Sequence, residues 1–269
     1  MSFELEVCAT RTALLNRKGT ASEASTETQN STLNAQNSAR LSIIIPCLNE
    51  SAIVRKRLVT LQGLRRAGHE LILVDGGSDD GTRELAGPLV DRLIDSPPGR
   101  ARQMNGGARA ARGEILWFLH LDSRLPPGAA LRVIDSAGGG GWGRFDVRLS
   151  GRHILFRLIE RLMNLRSCIS GIATGDQGIF VHRELFFALD GFPDIPLMED
   201  IALSRRLKRR QRPVCLRPPL VTSSRRWERH GILRTVLLMW YLRLAYFLGA
   251  SPDWLAQQYR PCNTPKPAS

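Results

Sequence analysis

Three carboxylates stand where an apolar run gives way to a polar one. Asp75 closes ELILVD (70–75), Asp122 closes the strongly apolar EILWFLHLD (114–122), and Asp200 opens the helical stretch 198–210. A carboxylate just past a buried strand lies at the rim of a sheet. There it can hold a cation, accept from a ribose or base, or take a proton. One such aspartate is as readily a cap or a turn residue. Three at such boundaries, on one ligand edge, point to a site.

The elements that must carry them follow from composition. LSIIIP (41–46) is β-branched and ends in proline, as suits a buried parallel strand. Asn49-Glu50-Ser51 then offers cap chemistry ahead of helical spacing over 51–67. ELILVD is a second strand, followed by the turn Gly76-Gly77-Ser78, with Asp79 and Asp80 where a helix would begin. VDRLID (90–95) reads as a third strand, 101–112 as an Ala/Arg helix stopped by Gly113, and 114–122 as a fourth strand. Strands and helices alternating in this way make βαβ units and a mostly parallel sheet flanked by helices. Ligands in such sheets sit beyond the carboxyl ends of the strands, here Pro46–Glu50, Asp75–Ser78, Asp95–Arg102 and His120–Asp122. Further on, GGGGWG (138–143) reads as a loop, 144–149 as a strand, 153–166 as a helix and 178–183 as a strand. A short helix to Leu189 and a helix over 198–210 follow.

Residues 1–40 are rich in Ser, Thr, Asn and Gln over 19–40 and predict a disordered polar leader. Residues 41–230 form the expected catalytic domain, and 231–260 a C-terminal apolar helical segment. Within it, 232–248 is almost wholly apolar, with Arg234 and Arg243 nine residues apart and so on opposite helix faces. No charge-free run reaches the roughly 20 residues of a spanning helix, and the N-terminus lacks a secretory core. A cytoplasmic place is expected, free or peripheral on the inner face of the cell membrane. Five scattered cysteines without a CxxC pair argue against a disulfide framework or structural zinc. The net charge is +13, and 199–234 alone carries eleven basic residues against three acids. Such a window attracts phosphate on a nucleotide, a nucleic acid or a lipid. Few aromatics interleave it and no nucleic-acid module is present, so no nucleic acid is expected.

The order IIIPCLNE (43–50), ILVDGGSDDGT (72–82), WFLHLDS (117–123) and LMEDIALSRRL (197–207) resembles the family 2 glycosyltransferases of GT-A fold. It is most similar to a small bacterial branch with His-x-Asp in place of Asp-x-Asp. The resemblance implies a nucleotide-sugar donor bound by Pro46, Leu48, Glu50, Asp75, Arg102, Asp122 and Asp176. It implies a divalent metal, Mn²⁺ or Mg²⁺, on Asp122. It also implies inverting transfer to an acceptor hydroxyl or carboxyl, with Asp200 as the base. Gly76 stands where relatives carry a second acid. His120 stands where they carry the first acid of the metal motif. It either ligates the metal, as a neutral imidazole can for Mn²⁺, or sits behind it, or merely ends the strand. Asp176 follows Gly175 like the Gly-Asp pair near sugar and acceptor, or is a turn residue. Arg100, Arg102 and Asn105 fall in the segment after the third strand that meets nucleotide or phosphate. SSRRW (223–227) only partly matches the Gln-x-x-Arg-Trp motif of processive synthases, since Ser223 replaces the glutamine. The basic window and the apolar segment together admit a lipophilic acceptor, such as a polyprenyl phosphate or a carotenoid-like acid. The competing reading is a non-catalytic nucleotide-sugar binder, which would keep Asp75 and Asp122 but would not need Asp200.

Overall fold

The computed structural model describes residues 41–259. The expected leader, 1–40, lies outside them. Four parallel strands form first: β1 (Leu41–Cys47), β2 (Glu70–Asp75), β3 (Arg92–Asp95) and β4 (Ile115–Phe118). Helices α1 (Ser51–Arg66), α2 (Thr82–Ala86) and α3 (Arg100–Ala110) make the crossovers. β1, β2 and β4 are buried along their whole length apart from Pro46, as their β-branched and aromatic residues require. Helix α4 (Ala129–Ala137) leads to β5 (Trp142–Leu149), α5 (Ile154–Ser170), β6 (Phe180–His182) and α6 (Arg183–Phe187). Helix α7 (Glu199–Arg210), β7 (Val214–Thr222), α8 (Arg225–His230), α9 (Ile232–Phe247) and α10 (Pro252–Tyr259) complete the order.

The sheet runs β3-β2-β1-β4-β6-β5-β7. β6 is antiparallel to both neighbours, whereas β5 and β7 are parallel. The sheet is therefore mostly parallel and flanked by helices, as expected. Strand β1 is the pivot: the chain moves outward to β2 and β3, then returns to β4 on its other side. Ligands bind at such a reversal. Helix α3 packs on this pivot through Ala101, Met104 and Ala108 against Ile44, Ile72 and Val74. It comes close because of Gly107, where a Cβ would stand 2.4 Å from Ile44 Cγ2.

Three elements have no counterpart in the sequence reading, the short helix α8 among them. Helix α4 is nine residues long and buries Ala130, Val133 and Ala137. Strand β7 reads VCLRPPLVT, whose double proline argues against a strand. It survives at the edge of the sheet, and its pairing with β5 jumps from Phe145↔Leu216 to Val147↔Leu220. Arg217, Pro218 and Pro219 thus face Asp146 alone, and the prolines fall where no ladder bond is needed. Strand β5 begins at Trp142, inside the segment read as a glycine loop. There Trp142 is buried and donates from Nε1 to Gln211 O at 2.7 Å.

Candidate active site

One rim is built by stitching the loop after β1 to the turn after β2. Asn49 takes a left-handed backbone, φ 53°. Its N–H donates to Ser78 Oγ at 2.9 Å, and its Oδ1 accepts from Asp79 N at 3.1 Å. Glu50 N donates to Thr82 Oγ1 at 2.8 Å and Ser51 N to Asp80 Oδ2 at 2.9 Å, so Asp80 serves the first turn of α1 from another segment. The Thr82 hydroxyl, and then the Ser51 N–H, donate to the Asp80 carboxyl and hold it well below the usual range.

Asp75 is fully buried. Burial alone would raise its carboxyl, but bonds from Ser78 Oγ and the N–H groups of Ser78 and Gly77 outweigh that and lower it. Cys47 Sγ lies 3.6 Å from its Oδ1. Burial and the Asp75 charge push that thiol up to about 12, so it stays protonated. The place of the missing second acid is occupied. A Cβ on Gly76 would stand 3.0 Å from Gln103 Nε2, which donates to Cys47 O at 2.7 Å and Val74 O at 2.9 Å. Gln103 was not singled out from the sequence. Its buried amide pins the ends of β1 and β2 together.

The opposite rim is assembled from β4, the turn 174–177 and the start of α7. Asp200 Oδ2 accepts from Gly175 N at 2.8 Å and its Oδ1 from Ile201 N at 2.7 Å. Thr174 Oγ1 donates to Asp176 Oδ1 at 2.5 Å, which orders the turn. His120 packs directly on this turn, for a Cβ at Gly175 would stand 2.8 Å from its Nε2. Burial, then the Arg100 charge, push the imidazole down to about 4, leaving it neutral at pH 7. Burial raises the Asp200 carboxyl despite its two N–H donors. Burial and the Asp200 charge push Glu199 up to about 7. Glu50 is raised by burial and by facing Asp122.

His120, Asp122, Asp176 and Asp200 line one cavity of about 310 Å³, together with Arg100 and Glu199. Pro46, Leu48, Glu50 and Asp75 belong to the adjoining β1 and β2 loops, with Leu48 47% exposed. Arg102 stands apart from this cavity. Two residues on from Arg100 it leaves the cavity face, and its Nε pairs with Asp194 at 2.9 Å, so Arg100 takes the place on the wall. Asn105 is likewise engaged, exchanging two hydrogen bonds with the Phe192 backbone. Part of the basic window is structural too. Arg206, Lys208 and Arg212 donate to backbone carbonyls, and Arg205 lies over the Phe247 ring. The side chain of Arg226, in the SSRRW segment, lies outside the described residues.

Among the described residues no group of three or more His, Cys, Asp or Glu side chains converges as a metal cage. Asp122 and His120 offer one carboxylate and one neutral imidazole. That set is too small to retain a cation alone. It fits one whose remaining ligands are phosphate oxygens.

The sheet reverses at β1, with one carboxylate, Asp75, at the end of β2 and another, Asp122, in the loop after β4. Residues 42–141 match the model of the family described as Glycosyl transferase family 2. A PGL/p-HBAD biosynthesis glycosyltransferase of Mycobacterium tuberculosis is 40% identical over 91 residues, covering 31% of this chain and 36% of that protein. The glycosyltransferase AglE of Haloferax volcanii is 36% identical over 91 residues, 30% of each chain. The chain thus spans about a third of the length of the curated relatives it matches. Among solved structures, a mannosyltransferase of Pyrobaculum calidifontis in complex with GDP-Man and Mn²⁺ superposes with TM-score 0.56. The identity is 21%, over 85% of this chain and 71% of that one. A glucosyl-3-phosphoglycerate synthase of M. tuberculosis with Mn²⁺ and UDP-Glc gives TM-score 0.51 at 19% identity, over 70% and 71%. The family match covers Asp75, His120 and Asp122 and ends before Asp176 and Asp200.

Proposed function

We propose that the protein transfers a sugar from a nucleotide-sugar donor to the hydroxyl of a lipophilic acceptor, by a single in-line displacement with inversion. The observation that carries this is the shared cavity. Asp122, in the loop after β4, and Asp200, at the start of α7, line the same space. Pro46, Leu48, Glu50 and Asp75 border the nucleotide, and Asp176 with Arg100 meets the sugar and diphosphate. Asp122, with His120, would hold a divalent cation. Once bound with the donor, that cation neutralises the leaving diphosphate. The neutral state of His120 leaves a lone pair free for that contact and suits Mn²⁺ better than Mg²⁺. Asp200 accepts the proton of the attacking hydroxyl. Its raised carboxyl makes it a stronger base than an exposed aspartate.

The test is a thermal-shift titration of UDP-, GDP- and dTDP-sugars with and without Mn²⁺. One donor is expected to stabilise the protein in a Mn²⁺-dependent way, and Asp122→Ala to abolish the metal-dependent part. A shift as large in Asp122→Ala as in wild type overturns the metal assignment.

The membrane side of the reading rests on two exposed stripes. Helix α5 presents Ile154, Leu158, Leu162, Leu165 and Ile169, and α9 presents Leu233, Leu237, Trp240 and Leu244, each between 50% and 79% exposed. The opposite face of α9 packs inward through Leu238, Leu242 and Ala245 against Ile172, Met198 and Ile201. The helix therefore both packs on its domain and leaves an apolar face outward. Exposed Arg152, Arg161 and Arg234 flank the stripes, which favours an anionic bilayer surface. Among the described residues no helix is long and apolar enough to cross a membrane. The full chain is expected to float with phosphatidylglycerol-rich vesicles and to be released by high salt. Recovery wholly in the unbound fraction counts against surface docking.

A further inference from the structure

The cavity continues past the carboxylates between α5 and α9, where the two helices present the same pattern. Ile159, Leu162, Met163 and Arg166 face it from α5, and Val236, Met239, Trp240 and Arg243 from α9. Each set has the spacing i, i+3, i+4, i+7, one helix face with an arginine at its C-terminal end. Leu162 and Trp240 are 50% and 64% exposed, so they border the mouth on the apolar stripes. The two arginines lie deeper, within electrostatic reach of each other, and Arg166 within reach of Asp176 and Asp200.

Neither guanidinium is satisfied. Arg166 Nε and Nη2 and Arg243 Nε are buried with no hydrogen-bond partner among the described residues. Neither side chain makes an ion pair there, so Asp176 and Asp200 act on them only across the cavity. Burial, and then the neighbouring Arg243 cation, bring the Arg166 guanidinium down to about 10. The Arg166 guanidinium thus stays charged at neutral pH, and the neighbouring Arg243 cation repels it in an apolar setting. Buried N–H donors without acceptors, on two like charges, are costly to keep. An anion between them would accept from both in the forked geometry that guanidinium groups favour.

We propose that Arg166 and Arg243 form a subsite for the anionic head group, a phosphate or a carboxylate, of an acceptor whose apolar chain runs out between α5 and α9. Ile159, Met163, Val236 and Met239 line the chain, and Leu162 and Trp240 frame its exit onto the apolar face. The arginines act as positioning residues. They hold the head so that a hydroxyl of the same acceptor meets Asp200, which takes its proton. This rests on the glycosyltransferase reading for the meaning of the acceptor, though not for the binding itself.

The experiment follows tryptophan fluorescence of the full chain, since Trp227 and Trp240 line the cavity. The probes are dodecyl phosphate, dodecanoate, dodecanol and inorganic phosphate, each kept below its micellar concentration. At least one of the two chain-borne anions is expected to bind about tenfold or more tighter than dodecanol, the scale of one charge-assisted hydrogen bond. Arg166→Gln and Arg243→Gln are expected to weaken that anion about tenfold each while leaving dodecanol unchanged. Arg166→Lys is expected to recover part of the loss. Equal binding of dodecanol and both anions in the wild-type protein overturns the subsite, without any variant having to fold. So does an anion affinity untouched in folded Arg→Gln variants. Inorganic phosphate binding as tightly as dodecyl phosphate overturns the chain-borne source. The Mn²⁺-dependent donor shift, run on the same samples, separates the two claims. A donor shift without anion preference sinks only the subsite. Anion preference without any donor shift sinks the enzymatic reading and leaves the subsite standing.

Discussion

Replacing Asp200 by asparagine is expected to lower kcat by about 10²–10⁴-fold, the usual worth of a positioned general base. The amide is nearly isosteric, and its oxygen can still accept from Gly175 N, so the turn over the cavity should stay in place. Donor binding measured by thermal shift should therefore match wild type. What is lost is the ability to take a proton. The wild-type pH profile should show the same group. Burial raises the Asp200 carboxyl, so the base is free above its raised pKa and blocked below it. The rate should fall as pH drops, at a higher pH than an exposed aspartate would give. Glu199, at about 7, adjoins it, so the acid limb reports the pair. Turnover of Asp200→Asn at the wild-type rate would remove the base from the mechanism.

Gly175→Ala is expected to cost about 10² in kcat/KM, the scale of a misplacement near 1 Å in a reacting group. The added methyl would stand 2.8 Å from His120 Nε2 and 3.9 Å from Asp200 Oδ2. The turn is held from below by Thr174 and Gln177, whose Oε1 accepts from Ser167 Oγ at 3.0 Å, so it has little room to retreat. The imidazole must move instead, and with it the loop that carries Asp122. The expected signature is a weaker Mn²⁺-dependent donor shift with an unchanged melting point in the absence of donor. A variant with wild-type kcat/KM and donor shift would show that the His120 ring moves at no cost.

Strands β1, β2 and β4 are legible in the sequence because they are buried on both faces and punctuated by glycine, proline and acids. The same physics makes Asp75, Asp122 and Asp200 conspicuous, since charge at the end of an apolar run needs a reason. Strand β7 is illegible because Pro218 and Pro219 carry the signal of a loop. What rescues them is a position at the edge, beside a bulge, which is a fact about neighbours and not about the segment itself. Arg102 illustrates a related limit. Arg100 and Arg102 share a motif, but two residues of helix turn one toward the cavity and the other toward Asp194. Arg166 and Arg243 stand 77 positions apart and look like ordinary basic residues on helices. Their signal is the repeated spacing of three apolar residues and an arginine, which acquires meaning only once α5 and α9 are seen to face each other.

Gln103 also ties the histories of two distant positions. Its amide fills the space beside Gly76 and bridges the ends of β1 and β2. An aspartate at 76 would press that amide off one of the two carbonyls it serves. Cys47 O would keep the Gly76 N–H, which donates to it at 3.0 Å, so the change costs one buried hydrogen bond, about 0.5–1.5 kcal/mol. Drift at 76 is therefore conditional on drift at 103. In an aligned set of homologues the two columns should change together, with an acid at the first accompanied by a shorter side chain at the second. A lineage that lost the glutamine first would be the one free to regain the acid.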